Sequence, residues 1–229
     1  MRQDFGFEII FADRLRTPIR QYSGWARCGS WPIHRLRRIL GSQCTTIEIS
    51  KSLPMFAKGM IAHKDTTGAK GILHMGDVQA MTTGSGVMHS EANPSEELTR
   101  VYQMWFHAEE TGLTPAYTDL VAPPKAEPGN FTVYASGARD IDGLIQIRQD
   151  AAVMGTSLLR GESILHKLAP GRLTYVLAVD GPLAVNDFGI PQRGGAEIRE
   201  EGEVRIAASE TPSRVLLIDV DESYKSPPS

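Results

Sequence analysis

The feature that most constrains the fold is a rhythm of short strand-like runs separated by glycine-rich turns. From Met60 onward, β-branched and aromatic runs alternate with turn clusters such as residues 64–68, 75–77 and 82–86. Runs recurring about every 8 to 12 residues predict an all-β sandwich or barrel rather than alternating strands and helices. Residues 121–130 hold three prolines and a glycine, and predict a linker between two barrels of similar size. The predicted strands cover residues 60–63, 72–73, 78–81, 87–91, 99–107, 131–135, 144–148, 173–179, 183–186, 196–198, 203–207 and 214–220.

Charge and composition exclude several classes of protein. The chain of 229 residues carries a net charge of −3, which argues against an electrostatic nucleic-acid binder. It has no run approaching the roughly 18 apolar residues of a membrane span, and its first ten residues do not read as a signal peptide. The two cysteines, Cys28 and Cys44, fit neither a disulfide framework nor a CxxC motif. We therefore expect a cytoplasmic protein that binds neither nucleic acid directly nor a membrane.

One short motif carries specific chemistry. In a strand, alternate side chains share a face, so Val87, His89 and Glu91 would point the same way. An imidazole and a carboxylate inside a small barrel can both reach one ion, and they suit iron, zinc, copper, nickel or manganese. Spacing alone leaves the alternative open, because a His-x-Glu pair on a strand is more often a surface pair or a buried polar pair with its own partners.

The surroundings of that motif resemble the pirin family. The resemblance covers about residues 59–125, and it covers the second barrel only loosely, through its strand rhythm. It is carried by Gly76-Asp77-Val78-Gln79, by Met81-Thr82-Thr83-Gly84-Ser85-Gly86, by His89-Ser90-Glu91, by the upstream His63-Lys64-Asp65-Thr66-Thr67-Gly68, and by the downstream Tyr102-Gln103-Met104-Trp105 and Gly112-Leu113-Thr114-Pro115 with Tyr117.

The resemblance implies a bicupin, a chain of two jelly-roll cupin barrels. Residues 59–120 would form the core of the N-terminal cupin, and residues 131–229 the C-terminal cupin. It also implies one metal ion in the N-terminal barrel, most often Fe(II), held by three histidines and one glutamate. His89 and Glu91 match the third histidine and the glutamate. The implied activity is that of a quercetin 2,3-dioxygenase, which cleaves a flavonol ring with dioxygen, and Glu91 would also accept a proton as a general base.

Half of the implied metal site is missing from the sequence. The family's other two ligands come from a His-x-His strand, and this chain has no His-x-His among its six histidines. His63 matches a hairpin position that the family does not use as a ligand, so we interpret it as structural. His166 has no histidine or glutamate at strand spacing beside it, so we expect the C-terminal barrel to bind no metal. The remaining histidines are His34, His74 and His107.

The missing strand falls in an anomalous segment, residues 1–58. Residues 14–45 hold seven arginines and no acidic residue. One back-translation of Gln43 to Leu53, read two bases later, gives Met-His-His-His-Arg-Asp-Phe-Glu-Ile-Phe, which contains the expected pattern. We hypothesise that about residues 13–57 are translated out of frame between two compensating shifts. The alternative is a divergent N-terminus in a relative that lacks the metal.

Three functions follow from these observations. The first is a metal-dependent dioxygenase that acts on a flavonol-like aromatic substrate and is impaired in the chain as written. The second is a non-enzymatic, metal-linked regulatory or interaction pirin. The third is an inactive product of a frameshifted gene.

Overall fold

The computed structural model describes residues 7–13, 51–82, 84–95, 99–106, 113–138 and 141–221. Within these residues every regular element is a strand, and no helix is long and apolar enough to cross a membrane. The strands are β1 Phe7–Asp13, β2 Lys51–Lys58, β3 Met60–Asp65, β4 Lys70–His74, β5 Val78–Thr82, β6 His89–Ala92, β7 Arg100–Phe106, β8 Ala116–Leu120, β9 Thr132–Ser136, β10 Ile145–Gln146, β11 Ala151–Leu158, β12 Ser163–Lys167, β13 Arg172–Ala178, β14 Leu183–Val185, β15 Phe188–Ile190, β16 Gly195–Ile198, β17 Glu203–Ala207 and β18 Ser213–Asp221.

The chain divides into two compact units between Pro123 and Pro124. The described strands of the first unit form a five-stranded sheet, ordered β1-β7-β2-β5-β8, and a three-stranded sheet, ordered β4-β3-β6. Neighbouring strands in both sheets run antiparallel. Side chains of the two sheets meet where the ring of Tyr117 on β8 stacks on that of His63 on β3, so this unit is a two-layered β structure.

The second unit repeats this two-layered plan. Its described strands form a six-stranded sheet, β10-β9-β11-β18-β13-β16, and a four-stranded sheet, β12-β17-β14-β15. One buried cluster joins them: Ile164 and Val204 come from the smaller sheet, and Met154, Val176 and Leu217 from the larger. The prediction of an all-β protein with two barrels is confirmed. The division at Pro123 falls inside residues 121–130, and the exact domain bounds stay a prediction.

Most predicted strands are present, but β1, β2, β8, β11, β12 and β15 were not predicted. In β11, residues 151–155 are buried in succession, so no alternation marks the strand in the sequence. Gly155 also weakens the pattern, because glycine has low strand propensity. The structure explains that glycine: a Cβ at this position would lie 2.8 Å from the ring of Tyr134.

The turn after β5 requires a glycine at position 84. Gly84 has φ +51°, and a Cβ there would lie 1.9 Å from the carbonyl oxygen of Leu113. The next residue, Ser85, donates its N–H to that same oxygen at 2.8 Å. The glycine in the Met-Thr-Thr-Gly-Ser-Gly run therefore allows two backbone segments to approach closely just before β6.

We predict that Gly84→Ala destabilises the chain by more than Gly68→Ala. Both glycines have positive φ, and an alanine in that conformation costs about 1–2 kcal/mol. Only Gly84 adds a backbone clash, since a Cβ at Gly68 would meet nothing within 4 Å. Urea unfolding of both variants measures the difference. Equal free energies of unfolding would show that the contact with Leu113 is not as close as described.

Candidate metal centre

The pairing of β3 with β6 places His89 and Glu91 on one face. Across the antiparallel ladder, His89 lies opposite Asp65, and Glu91 lies opposite His63. Residues directly opposite on antiparallel strands project to the same side of the sheet. His63 and Asp65 are buried positions of β3. His89 and Glu91 therefore face the interior together, although β6 begins at His89 rather than at the predicted Val87.

The turn between β3 and β4 fixes the start of β6. The Asp65 carboxylate accepts hydrogen bonds from the Thr67 N–H at 2.9 Å and its hydroxyl at 2.7 Å, and from the Ala69 N–H at 3.0 Å. Thr66 then donates its N–H to the Met88 carbonyl at 2.9 Å, and its hydroxyl accepts the Met88 N–H at 3.1 Å. The His-Lys-Asp-Thr-Thr-Gly run thus has a physical role, because it holds the residue just before His89.

Hydrogen bonds also set the charge of the turn aspartate. Burial raises the pKa of Asp65, but hydrogen bonds from Thr67, His63 and Ala69 outweigh burial and leave the pKa below its ordinary value. The carboxylate is therefore charged at neutral pH, as an acceptor of several N–H and O–H groups must be.

His63 lies at the centre of the polar cluster. Its side chain is buried, with Nε2 3.2 Å from Asp65 Oδ2. Its Nδ1 lies 3.5 Å from Gln79 Nε2 and 3.8 Å from Glu91 Oε1. Burial lowers the pKa of His63, but the contacts with Glu91 and Asp65 outweigh burial and raise it overall. His63 therefore connects the turn aspartate to the glutamate of the motif.

Two further rings pack on His63. The Tyr117 ring stacks on it at a centroid distance of 4.6 Å, and the His89 ring at 5.6 Å. The Tyr117 hydroxyl donates to Gln79 Oε1 at 3.3 Å. Burial, followed by the nearby Asp119 carboxylate, raises the pKa of Tyr117, so this phenol stays protonated. The cluster thus draws side chains from both sheets of the first unit.

The donors of the motif suit a divalent ion but form an incomplete set. His89 Nδ1 is buried and has no hydrogen-bond partner within the described part of the chain, and the Glu91 side chain is 22% exposed. In that same part of the chain, no group of three His, Cys, Asp or Glu side chains is arranged to hold a metal. Residues 45–50, where the resemblance places the other two ligands, lie outside the described residues, as do His34, His107, Cys28 and Cys44. The described donors therefore do not complete a metal site.

The other described histidines lie apart from this cluster. The His74 side chain is 61% exposed, with Nδ1 3.8 Å from Asp77 Oδ2. His166, in the second unit, has Nε2 3.2 Å from Asp219 Oδ2. Spacing along the chain does not reveal that partner, because Asp219 lies on a distant strand, β18.

The sequence motif singled out His89 and Glu91 but not the groups that gather around His63. Gln79 is fully buried on β5, and Tyr117 and Asp119 alternate on its neighbour β8. A local signal for Tyr117 and Asp119 was available, because their spacing of two residues within Ala116–Leu120 places both side chains on one face of a strand. The convergence of these residues depends on the pairing of β5 with β8, which spacing along the chain does not reveal.

Comparison with known proteins agrees with this fold. The Pirin family matches residues 48–106, and the quercetinase C-terminal cupin domain matches residues 133–220. A quercetin 2,3-dioxygenase of Escherichia coli (strain K12) is 33% identical over 71% of this chain and 69% of its own. A pirin-like protein of Caulobacter vibrioides is 36% identical over 69% of this chain and 68% of its own.

Solved structures of pirins have the same fold. The crystal structure of YhhW from Escherichia coli matches with a TM-score of 0.68 and 30% identity, over 82% of this chain and 77% of that one. The complex of bacterial pirin YhhW with nickel(II) matches with a TM-score of 0.69 and 29% identity, over 79% of this chain and 76% of that one.

The two matched domains, on two β units, define a bicupin. The chain belongs to the pirin family. The Pirin match begins at residue 48, so residues 13–47 of the anomalous segment lie outside it and residues 48–57 lie inside it. The frameshift hypothesis stays a prediction.

Proposed function

We propose that the chain is a pirin of the quercetin 2,3-dioxygenase type, and that it carries half of a divalent-metal site at His89 and Glu91. One observation carries the proposal: both side chains face inward on β6, and His89 Nδ1 is buried with no hydrogen-bond partner in the described part of the chain. A buried imidazole nitrogen without a partner is costly unless something binds it. The quercetin dioxygenase of Escherichia coli and the nickel complex of YhhW support this choice.

The chemistry assigned to this chain's own residues centres on Glu91. A divalent ion held beside it would supply Lewis-acid activation of a flavonol oxygen. Fe(II) is the ion that the resemblance implies, and zinc, copper, nickel and manganese suit the same donors. The partly exposed Glu91 carboxylate can accept the proton of the flavonol hydroxyl as a general base. Dioxygen would be the second substrate.

The incomplete donor set leads us to propose that the chain with the present sequence, called the written chain below, is impaired in metal binding and in activity. His89 and Glu91 are two of four implied ligands, and no third donor joins them among the described residues. The same observation favours, as a second candidate, a pirin that acts without turnover in regulation or as an interaction partner. An inactive product of a frameshifted gene would show the same two donors, and it is the third candidate. A cytoplasmic location stays a prediction.

We predict that quercetin-dependent dioxygen uptake by the written chain, with added Fe(II) or Ni²⁺, is low and depends on Glu91. Glu91→Gln removes the proton acceptor and a metal ligand together, and loss of a general base alone costs about 10²–10⁴-fold in rate. His74→Gln is the matched control, because His74 is exposed and lies outside the cluster. An oxygen electrode measures the rates. Full activity in Glu91→Gln would contradict the assigned role, and no uptake in any protein would favour the non-enzymatic candidates.

A further inference from the structure

We infer that His63 is a positioning residue, which holds the Glu91 carboxylate and the His89 ring in the orientation that the site requires. The inference rests on the proposed function, since it assigns a role toward the same two residues. It revises the interpretation of His63 as merely structural.

The His63 ring contacts both members of the motif. His63 Nδ1 lies 3.8 Å from Glu91 Oε1, and the ring stacks on that of His89 at 5.6 Å with an interplanar angle of 22°. The contact with Glu91 follows from the β3–β6 register, in which the two residues are directly opposite. A change at position 63 therefore acts on both residues at once.

His63 is itself held in place by its own contacts. Its side chain is fully buried, its Nε2 faces Asp65, and its Nδ1 lies within reach of Gln79. Tyr117 packs on its ring and also hydrogen-bonds to Gln79. A ring fixed at both nitrogens and by stacking loses its freedom to rotate. Residues that hold a ligand in this way determine how well a metal site is formed.

The two nitrogens of His63 face different partners. Nε2 faces Asp65, which anchors the β3–β4 turn, whereas Nδ1 faces Glu91. The amide nitrogen of glutamine lies near the position of Nε2, and that of asparagine near the position of Nδ1. His63→Gln can therefore keep the turn contact and lose the Glu91 contact, and His63→Asn can do the reverse. The pair of variants separates a structural role from a positioning role.

The experiment compares His63→Gln, His63→Asn and the exposed control His74→Gln in the full chain. Crystal structures without metal report the conformation of Glu91, and calorimetric titration with Ni²⁺ reports affinity. We expect His63→Gln to release Glu91 into other rotamers and to weaken Ni²⁺ binding about 10–100-fold, the usual cost of losing such a partner. We expect His63→Asn, which keeps the Glu91 contact but loses the ring that stacks on His89, to keep the Glu91 conformation and to weaken Ni²⁺ binding less than His63→Gln does. His74→Gln should bind Ni²⁺ like the parent.

The inference would be overturned if His63→Gln leaves both the Glu91 conformation and the Ni²⁺ affinity unchanged. If the parent shows no Ni²⁺ binding that depends on His89 and Glu91, the proposed metal function fails. The crystal structures alone then decide whether His63 orients Glu91. If His63→Gln does not fold, His63→Asn decides, because Glu91 held as in the parent supports the inference and Glu91 turned away overturns it.

Discussion

Expressing the chain with residues 13–57 read in the shifted frame is expected to raise its affinity for a divalent ion by more than about 100-fold. Losing even a residue that supports a ligand costs about 10–100-fold in affinity, and the written chain lacks two ligands outright. The written residues Thr45, Ile47 and Ile49 supply no ligand. The shifted text supplies a His-x-His, whose two imidazoles would share one strand face at a period of two. With His89 and Glu91 they would complete four donors around one ion.

The measurement is bound metal after dialysis against a chelator, for the written and the reframed proteins side by side. The reframed protein should retain about one ion per chain, and the written chain should retain almost none. A reframed protein carrying His89→Gln should lose the ion, and one carrying His74→Gln should keep it. If the reframed protein folds but holds no more metal than the written chain, the frameshift hypothesis fails and the divergent N-terminus stands.

The second large effect is expected from Asp219→Asn in the second unit. Asp219 is buried and accepts hydrogen bonds from His166 Nε2 at 3.2 Å, Arg172 Nε at 2.6 Å and the Thr174 hydroxyl at 3.2 Å. Asparagine removes the negative charge and with it one of the two carboxylate partners of Arg172, which keeps Asp150 at 2.6 Å. Breaking a buried ion pair by removing one partner costs about 3–5 kcal/mol. Because Arg172 keeps Asp150, we expect a loss near the lower end of this range in the free energy of unfolding.

The effect of Asp219→Asn should depend on pH in one direction. Burial raises the pKa of Asp219, but the hydrogen bond from His166 and the charge of Arg172 outweigh burial and lower the pKa overall. A carboxyl group whose pKa is lower in the folded state stabilises the protein fully above its unfolded pKa of about 3.9. That contribution is lost as the pH falls through the lower folded value. The gap between parent and variant should thus be constant from about pH 7 to 5 and shrink below about pH 4.

Urea unfolding followed by circular dichroism, across this pH range, measures the gap. Asp187→Asn is the matched control, because Asp187 is exposed in the turn between β14 and β15. An equal loss in both variants, or a gap that widens in acid, would contradict the assigned role of the buried network.

The sequence predicted the fold well because the fold depends on local signals. Turn clusters and β-branched runs marked most strands, and alternation placed His89 and Glu91 on one face, as the structure does. Strand β11 was not predicted because consecutive residues in it are buried and because it contains Gly155. The partners of His63 and His166 were not predicted for another reason. Gln79 and Asp219 reach these histidines through strand pairing and sheet packing, and the residues are too far apart along the chain for a short motif to show the contact.

The most direct test of the central claim is to determine which side chains of the written chain bind an ion. In a Ni²⁺ titration followed by nuclear magnetic resonance, paramagnetic broadening identifies the residues nearest the ion. The account predicts that the signals of His89 and Glu91 broaden first, while those of the exposed His74 and of His166 in the second unit do not. Broadening that spares His89 and Glu91, or that begins at His166, would contradict it.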